Sequence, residues 1–109
     1  MNREFKKVKI VVFVPEDHAG AVRKAVGDAG AGKIGNYSHC SFSSKGKGRF
    51  LPLEGANPSI GNVGTSETVD EERIEFICEE ENIEKVVLAM KKAHPYEEVA
   101  YDIYPLLDL

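Results

Sequence analysis

The amino-acid sequence predicts an α+β domain with the element order β-α-β-β-α-β, and three observations carry that prediction. Residues 6–14 (Lys-Lys-Val-Lys-Ile-Val-Val-Phe-Val) alternate and then turn wholly apolar, as in a central strand covered on both faces at its far end. Two stretches, about 16–29 and 83–93, repeat apolar residues at helical spacing. A strand pattern follows each of them, so the chain reads as two β-α-β halves.

Pro15 stops the first strand, and Glu16 and Asp17 place favourable negative charge in the first helical turn. Ala19, Val22, Ala25, Val26 and Ala29 form the buried stripe of this helix. Gly30 or Gly32 ends it, because glycine takes the left-handed C′ conformation without penalty. Gly30-Ala-Gly32-Lys-Ile-Gly35 matches GxGxxG by letters, but a dinucleotide site needs a strand before the glycines and a helix after them. Here the order is reversed, so the stretch reads as a helix stop and a connection. Residues 36–43 read as the second strand, with Tyr37, His39 and Ser41 on one face and Ser38, Cys40 and Phe42 on the other.

Residues 44–70 hold five glycines and two prolines and read as a long connection, with a short strand available at Arg49–Leu53. A loop of that length inside a small domain is commonly functional or mobile. It lacks the GK[ST] ending of a phosphate-binding loop. Residues 71–80 form the third strand, with Ile74, Phe76 and Cys78 inward and Arg73, Glu75 and Glu79 toward solvent. Asn82 sits at an N-cap position, and Ile83, Val86, Val87, Met90 and Ala93 stripe the second helix. Pro95 keeps His94 out of that helix. Val99, Tyr101 and Ile103 alternate with Ala100, Asp102 and Tyr104 in a fourth strand that Pro105 ends.

Right-handed crossovers then give a four-stranded antiparallel sheet with both helices on one face, the ferredoxin-like fold with a long Gly/Pro-rich insertion in its middle hairpin. The first strand offers Val and Ile to both faces, so the bare face is expected to be covered by another copy of the chain.

Bulk properties bound the function. The 109 residues suit a single domain over 1–109. A net charge of −4 argues against a general nucleic-acid binder, which needs a basic face. The basic clusters Lys6-Lys7-Lys9, Lys45-Lys47-Arg49 and Lys91-Lys92 are too short to suggest more than solvated edges. No window has the length of a membrane span, and residues 1–7 are too polar for a signal peptide. Cys40 and Cys78 form neither a disulfide framework nor a CxxC motif, so a reducing cytoplasm is expected. Both read as small buried hydrophobes that pack together on neighbouring strands.

Several stretches together resemble a known family. They are Gly32-Lys-Ile-Gly-Asn-Tyr-Ser-His-Cys-Ser-Phe42, Gly46-Lys-Gly-Arg-Phe50, Pro52-Leu-Glu-Gly-Ala-Asn-Pro58, Ile60-Gly61 and His94-Pro-Tyr-Glu-Glu98. They resemble the middle insert domain of YqfO-type proteins, which belong to the Nif3-like dinuclear-metal-centre family, also called type 2 GTP cyclohydrolase I. That insert is similar to CutA and PII proteins, and His94-Pro-Tyr-Glu97 looks like the ending segment of CutA, a protein linked to divalent-cation tolerance and cytochrome c biogenesis. The resemblance implies a ferredoxin-like homo-oligomer, with a trimer favoured. Nothing in this sequence matches the motifs that carry the family's metal ligands, so the dinuclear centre is not carried over.

His94, Glu97 and Glu98 are the leading candidates for a site, since imidazole and carboxylate suit a divalent transition metal such as zinc or copper. The same residues have a structural reading: a histidine at a helix C-terminus favours the helix dipole, and the glutamates can pair with surface lysines. His39 is the second candidate, expected to approach His94 or Glu98 only across a subunit boundary. Tyr96, Tyr101 and Tyr104 read as pocket or contact residues. No hydrolytic triad is visible, and His18 reads as solvated. Three functions remain: a non-catalytic binding or regulatory module of CutA/PII type, an enzyme of the Nif3-like class acting on a nucleotide, and a sensor of small anions or nucleotides through Lys45, Lys47 and Arg49.

Overall fold

The computed structural model describes residues 6–107; the expectation about a signal peptide rests largely on residues 1–5, which lie outside them. Strand β1 (Lys7–Pro15) is followed by helix α1 (Glu16–Asp28), strands β2 (Phe42–Phe50) and β3 (Glu67–Glu79), helix α2 (Ile83–Ala93) and strand β4 (Tyr101–Pro105). The sheet order is β2-β3-β1-β4, and every pairing is antiparallel. The expected ferredoxin-like fold is therefore present, with β2 and β4 at opposite edges. No helix among the described residues is long and apolar enough to cross a membrane.

One core explains the arrangement. Val8, Ile10, Val12 and Val14 of β1 face the same side as Ile74, Phe76 and Cys78 of β3. Ala19, Val22 and Val26 of α1 and Val86 and Met90 of α2 close over them. Helix α1 ends as its glycine suggests. Gly30 has φ 111°, its N–H bonds the Gly27 carbonyl, and the Ala31 N–H reaches back to Val26, the paired bonds of a Schellman stop. Asn82 occupies the N-cap position of α2, but its side chain makes no capping bond; a 3₁₀ turn at Glu80–Asn82 leads into the helix instead. His94 is extended (φ −81°, ψ 138°), as Pro95 requires.

Three boundaries differ from expectation. The second strand begins at Phe42, one residue before its expected end at Ser43, and runs through residues expected to lie in the loop. Residues 36–41 instead belong to a short turn structure in which Ile34 and Tyr37 bridge around Gly35 (φ 58°). Alternation alone misplaced this strand, because Ser38–Phe42 alternates as well as the true strand does, whereas Phe42-Ser-Ser-Lys-Gly-Lys-Gly-Arg-Phe50 looks like a connection. The third strand starts four residues early, at Glu67, which lengthens the hairpin and shortens the loop to 51–66. The fourth begins at Tyr101, so Val99 and Ala100 precede it, and it includes Pro105, which sits at a sheet edge where proline is tolerated. The GxGxxG letters lie in the helix stop and the turn after it, with no helix following.

The face away from the helices is mixed. It carries Lys9, Val11 and Phe13 of β1, Arg73, Glu75 and Ile77 of β3, and Asp102 and Tyr104 of β4. Lys9 and Arg73 both lie within ion-pair distance of Glu75, at 3.7 and 3.6 Å, and the Arg73 guanidinium sits 5.7 Å from the Phe13 ring centroid. Val11 is fully buried beneath this layer.

Truncating the core should separate it from the surface. Ile74→Ala is expected to cost about 2–5 kcal/mol in urea unfolding, while Leu88→Ala, on the exposed side of α2, should stay within about 0.5 kcal/mol.

Candidate functional site

The segment that follows α2 forms one wall of the site. His94 is buried, and both ring nitrogens are used. Its Nε2–H donates to the Phe13 carbonyl at 2.7 Å, and its Nδ1 accepts the Tyr96 N–H at 3.1 Å. These bonds define the neutral Nε2–H tautomer. Protonating Nδ1 would set one donor against another. Burial also pushes the His94 pKa below its ordinary value. The imidazole fastens the end of α2 to the end of β1, and neither nitrogen is free for a metal.

Pro95 then turns the chain so that the Tyr96 ring points inward. The ring packs edge-on against Phe50, with centroids 5.7 Å apart, and lies 5.0 Å from the His94 ring. Across from it, the 51–66 loop is tied down by main-chain bonds from Gly64 to Pro52 (2.8 Å) and from Ala56 to Leu53 (3.0 Å). The Asn57 N–H donates to Glu97 Oε1 at 2.8 Å and joins this loop to the post-helix segment.

Between these walls lies a cleft of about 570 Å³, within the size range of small-molecule sites. Phe13, Phe50, Pro52, Leu53 and Ile60 are among the residues of its apolar lining. Two polar groups are buried in it. Glu71 is 9% exposed, and burial raises its carboxyl pKa. The Tyr96 hydroxyl is fully buried without a hydrogen-bond partner among the described residues. Burial, then the charge and hydrogen-bonding pull of Glu71, push its pKa up to about 12. The phenol and the carboxyl thus influence each other's ionisation without reaching good hydrogen-bond geometry. Gly48 makes room for this pair, since a Cβ there would overlap the Glu71 carboxylate.

The other candidate residues lie elsewhere. His39 is in the turn before β2, with φ 60°, and not in a strand. Its Nε2 is 2.9 Å from Asp28 Oδ1 and its Nδ1 is 2.9 Å from Ser38 Oγ. Its ring lies where a Cβ on Gly27 would be, so the turn clasps the end of α1. Lys24 and then His39 hold the Asp28 carboxyl below its ordinary pKa. His39 sits at the C-terminal end of α1, whereas His94 bonds Phe13 of β1, ahead of that helix, so the length of α1, roughly 18 Å at 1.5 Å per residue, separates the two contacts. Glu97 and Glu98 line the mouth of the cleft. No group of three His, Cys, Asp or Glu side chains with metal-binding spacing occurs among the described residues. Cys78 is in the core, whereas Cys40 is half-buried before β2 and outside that cluster. Lys45 pairs with Glu16 at 3.9 Å and Lys47 with Asp70, while Arg49 lines the cleft. Tyr96 is a cleft residue, as one reading of the tyrosines held. Glu71 was missed because Glu71-Glu72 reads as the polar start of a strand; only the pairing of β2 with β3 brings it beside glycines.

The architecture is shared by proteins of several names. CutA of Archaeoglobus fulgidus superposes with a TM-score of 0.66 at 18% identity, covering 92% of this chain and 83% of that one. GlnK of Bacillus subtilis does so at 0.61 and 12%, covering 93% and 85%. These likenesses show the fold: a ferredoxin-like domain as in CutA and GlnK. No family model matches the chain. A sequence relative from Halalkalibacterium halodurans, named GTP cyclohydrolase 1 type 2 homolog, is 60% identical over 98 residues, covering 90% of this chain and 26% of the relative. A Bacillus cereus protein related to NIF3 is 55% identical with a TM-score of 0.82, covering 98% of this chain and 27% of that one. The chain is a homologue of one segment of these Nif3-related, YqfO-type proteins, and it spans about a quarter of their length.

Stability should report on His94. Its folded pKa lies below the value of 6.5 of an unperturbed histidine, so the unfolded chain binds the extra proton first as pH falls. The His94 contribution is therefore complete above about pH 6.5 and declines as pH drops through and below it. Urea midpoints measured from pH 8 to 5 should show this decline. His94→Ala should flatten it and cost about 1–3 kcal/mol for each main-chain group left unpaired.

Proposed function

We propose that this chain is a non-catalytic binding or regulatory module that takes a small organic ligand in the cleft between the 51–66 loop and residues 94–100. The observation that carries this reading is the cleft itself: apolar walls around a buried carboxyl and an unpaired buried phenol. Such groups fix the orientation of a ligand that the walls bind by desolvation. The likeness of the fold to CutA and GlnK supports a small module of this kind. Assembly with copies of itself belongs to the same reading, as does a cytoplasmic setting in which two unpaired thiols persist. A metal site built on His39, His94, Glu97 and Glu98 is not part of it: His39, His94 and Glu97 each have a partner within the chain, and Glu98 lines the cleft.

The enzyme reading attaches to relatives of which this chain covers 26%. Turnover of GTP by the metal-loaded chain alone would establish it, and none is expected.

An NMR fragment screen on the ¹⁵N-labelled 109-residue chain tests the binding reading. Small apolar compounds should move the amides of Phe50, Ala56, Ile60, Tyr96 and Ala100 together. Ala56→Trp, which fills the cleft from the loop, should abolish those shifts and leave the rest of the spectrum intact. Hits scattered over the surface, with none in the cleft, would remove the proposal. Native mass spectrometry should show more than one subunit; a single subunit at micromolar concentration would remove the assembly.

A further inference from the structure

We infer that the cleft selects a flat, largely apolar molecule carrying a cationic or N–H-rich head group, held by the Glu71 carboxylate with the Tyr96 hydroxyl beside it. This rests on the cleft being a ligand site and adds the chemistry of what enters it.

The head group follows from what Glu71 lacks. Every ion pair among the described residues engages other carboxylates: Glu16, Asp17, Asp28, Asp70, Glu72 and Glu75. Glu71 has no cation, although it is one of the two most deeply buried polar or charged residues described. The other, His94, has both nitrogens satisfied. A buried carboxylate without a cation or a well-formed hydrogen bond is costly, and a ligand donor removes that cost on binding. The Tyr96 hydroxyl also lacks a partner but is closed off from water, so the head group's N–H bonds go to the Glu71 carboxylate, with the phenol beside it.

The mouth agrees in sign. Glu97 and Glu98 border it together with the single cation Arg49, so with Glu71 the cleft has three carboxylates against one guanidinium. The lysines nearest in sequence, Lys45 and Lys47, are engaged by Glu16 and Asp70. That balance disfavours phosphate or carboxylate ligands and favours a donor. The body of the ligand follows from Phe13, Phe50, Pro52, Leu53 and Ile60, whose rings and branched chains suit a planar apolar group. Gly48 belongs to the same device. It carries no side chain beside Glu71, which lets the carboxylate occupy the space any Cβ would take.

Three probes of similar shape test the assignment by NMR titration of the full chain: benzamidine, benzamide and benzoate. Benzamidine should move the cleft amides, including Glu71 and Tyr96, and bind at least tenfold tighter than benzoate, with benzamide between them. Glu71→Gln should weaken benzamidine at least tenfold while the spectrum stays dispersed. Tyr96→Phe, which keeps the ring, should weaken it severalfold and provides the test if Glu71→Gln does not fold. Glu80→Gln with Glu81→Gln, away from the cleft, should change nothing. Benzoate binding as tightly as benzamidine, and losing its affinity in Arg49→Gln, would overturn the head-group assignment and leave the cleft as a ligand site. Failure of all three probes to move cleft amides, with apolar fragments still binding there, would likewise overturn the head group alone. Failure of probes and fragments together would overturn both readings.

Discussion

The imidazole of His94 is the joint on which the candidate site depends. One nitrogen holds the end of β1 through the Phe13 carbonyl, and the other holds Tyr96. The residue lies at the boundary where Pro95 forces the chain out of helix. These two bonds hold the start of the post-helix segment against the sheet, and the Phe13 N–H bond to the Ala100 carbonyl holds its end. The aromatic contact to Phe50 and the bond from Asn57 to Glu97 then extend the same wall to the 51–66 loop. A single neutral histidine thus couples helix end, central strand and long loop, which is a packing role.

The fold around it is held by ordinary means. A central strand with valines and isoleucine on its helix side meets the matching face of β3, and two amphipathic helices cover both. The opposite face is neither a bare apolar sheet nor a fully polar one. Charged side chains lie over Val11 and Phe13, and their long stems bury apolar surface while their charges remain wet.

The cleft gains its character from one local violation of the usual rule that buried polar groups find partners. Glu71 and Tyr96 sit among apolar side chains, and both are shifted toward their neutral forms by that environment. A residue pair of this kind is expensive to bury without partners. Gly48 shows that the surrounding strand leaves space for it.

Local chemistry settled a good part of the molecule in advance. The apolar run of β1, the helical stripes of 16–29 and 83–93, the stop at Gly30 and the break at Pro95 are each dictated by neighbours a few residues away, and all were readable from the chain. Within the motif His94-Pro-Tyr-Glu-Glu98, Tyr96, Glu97 and Glu98 line the cleft and His94 anchors its wall. Its chemistry was not readable, because whether an imidazole nitrogen is free or occupied depends on a carbonyl 81 residues away. Glu71 remained invisible for the same reason: its burial comes from a glycine-bearing strand that looks like a loop and pairs in a register no local pattern specifies. Elements follow from short-range sterics and periodicity, whereas the site follows from which distant residues the sheet brings face to face.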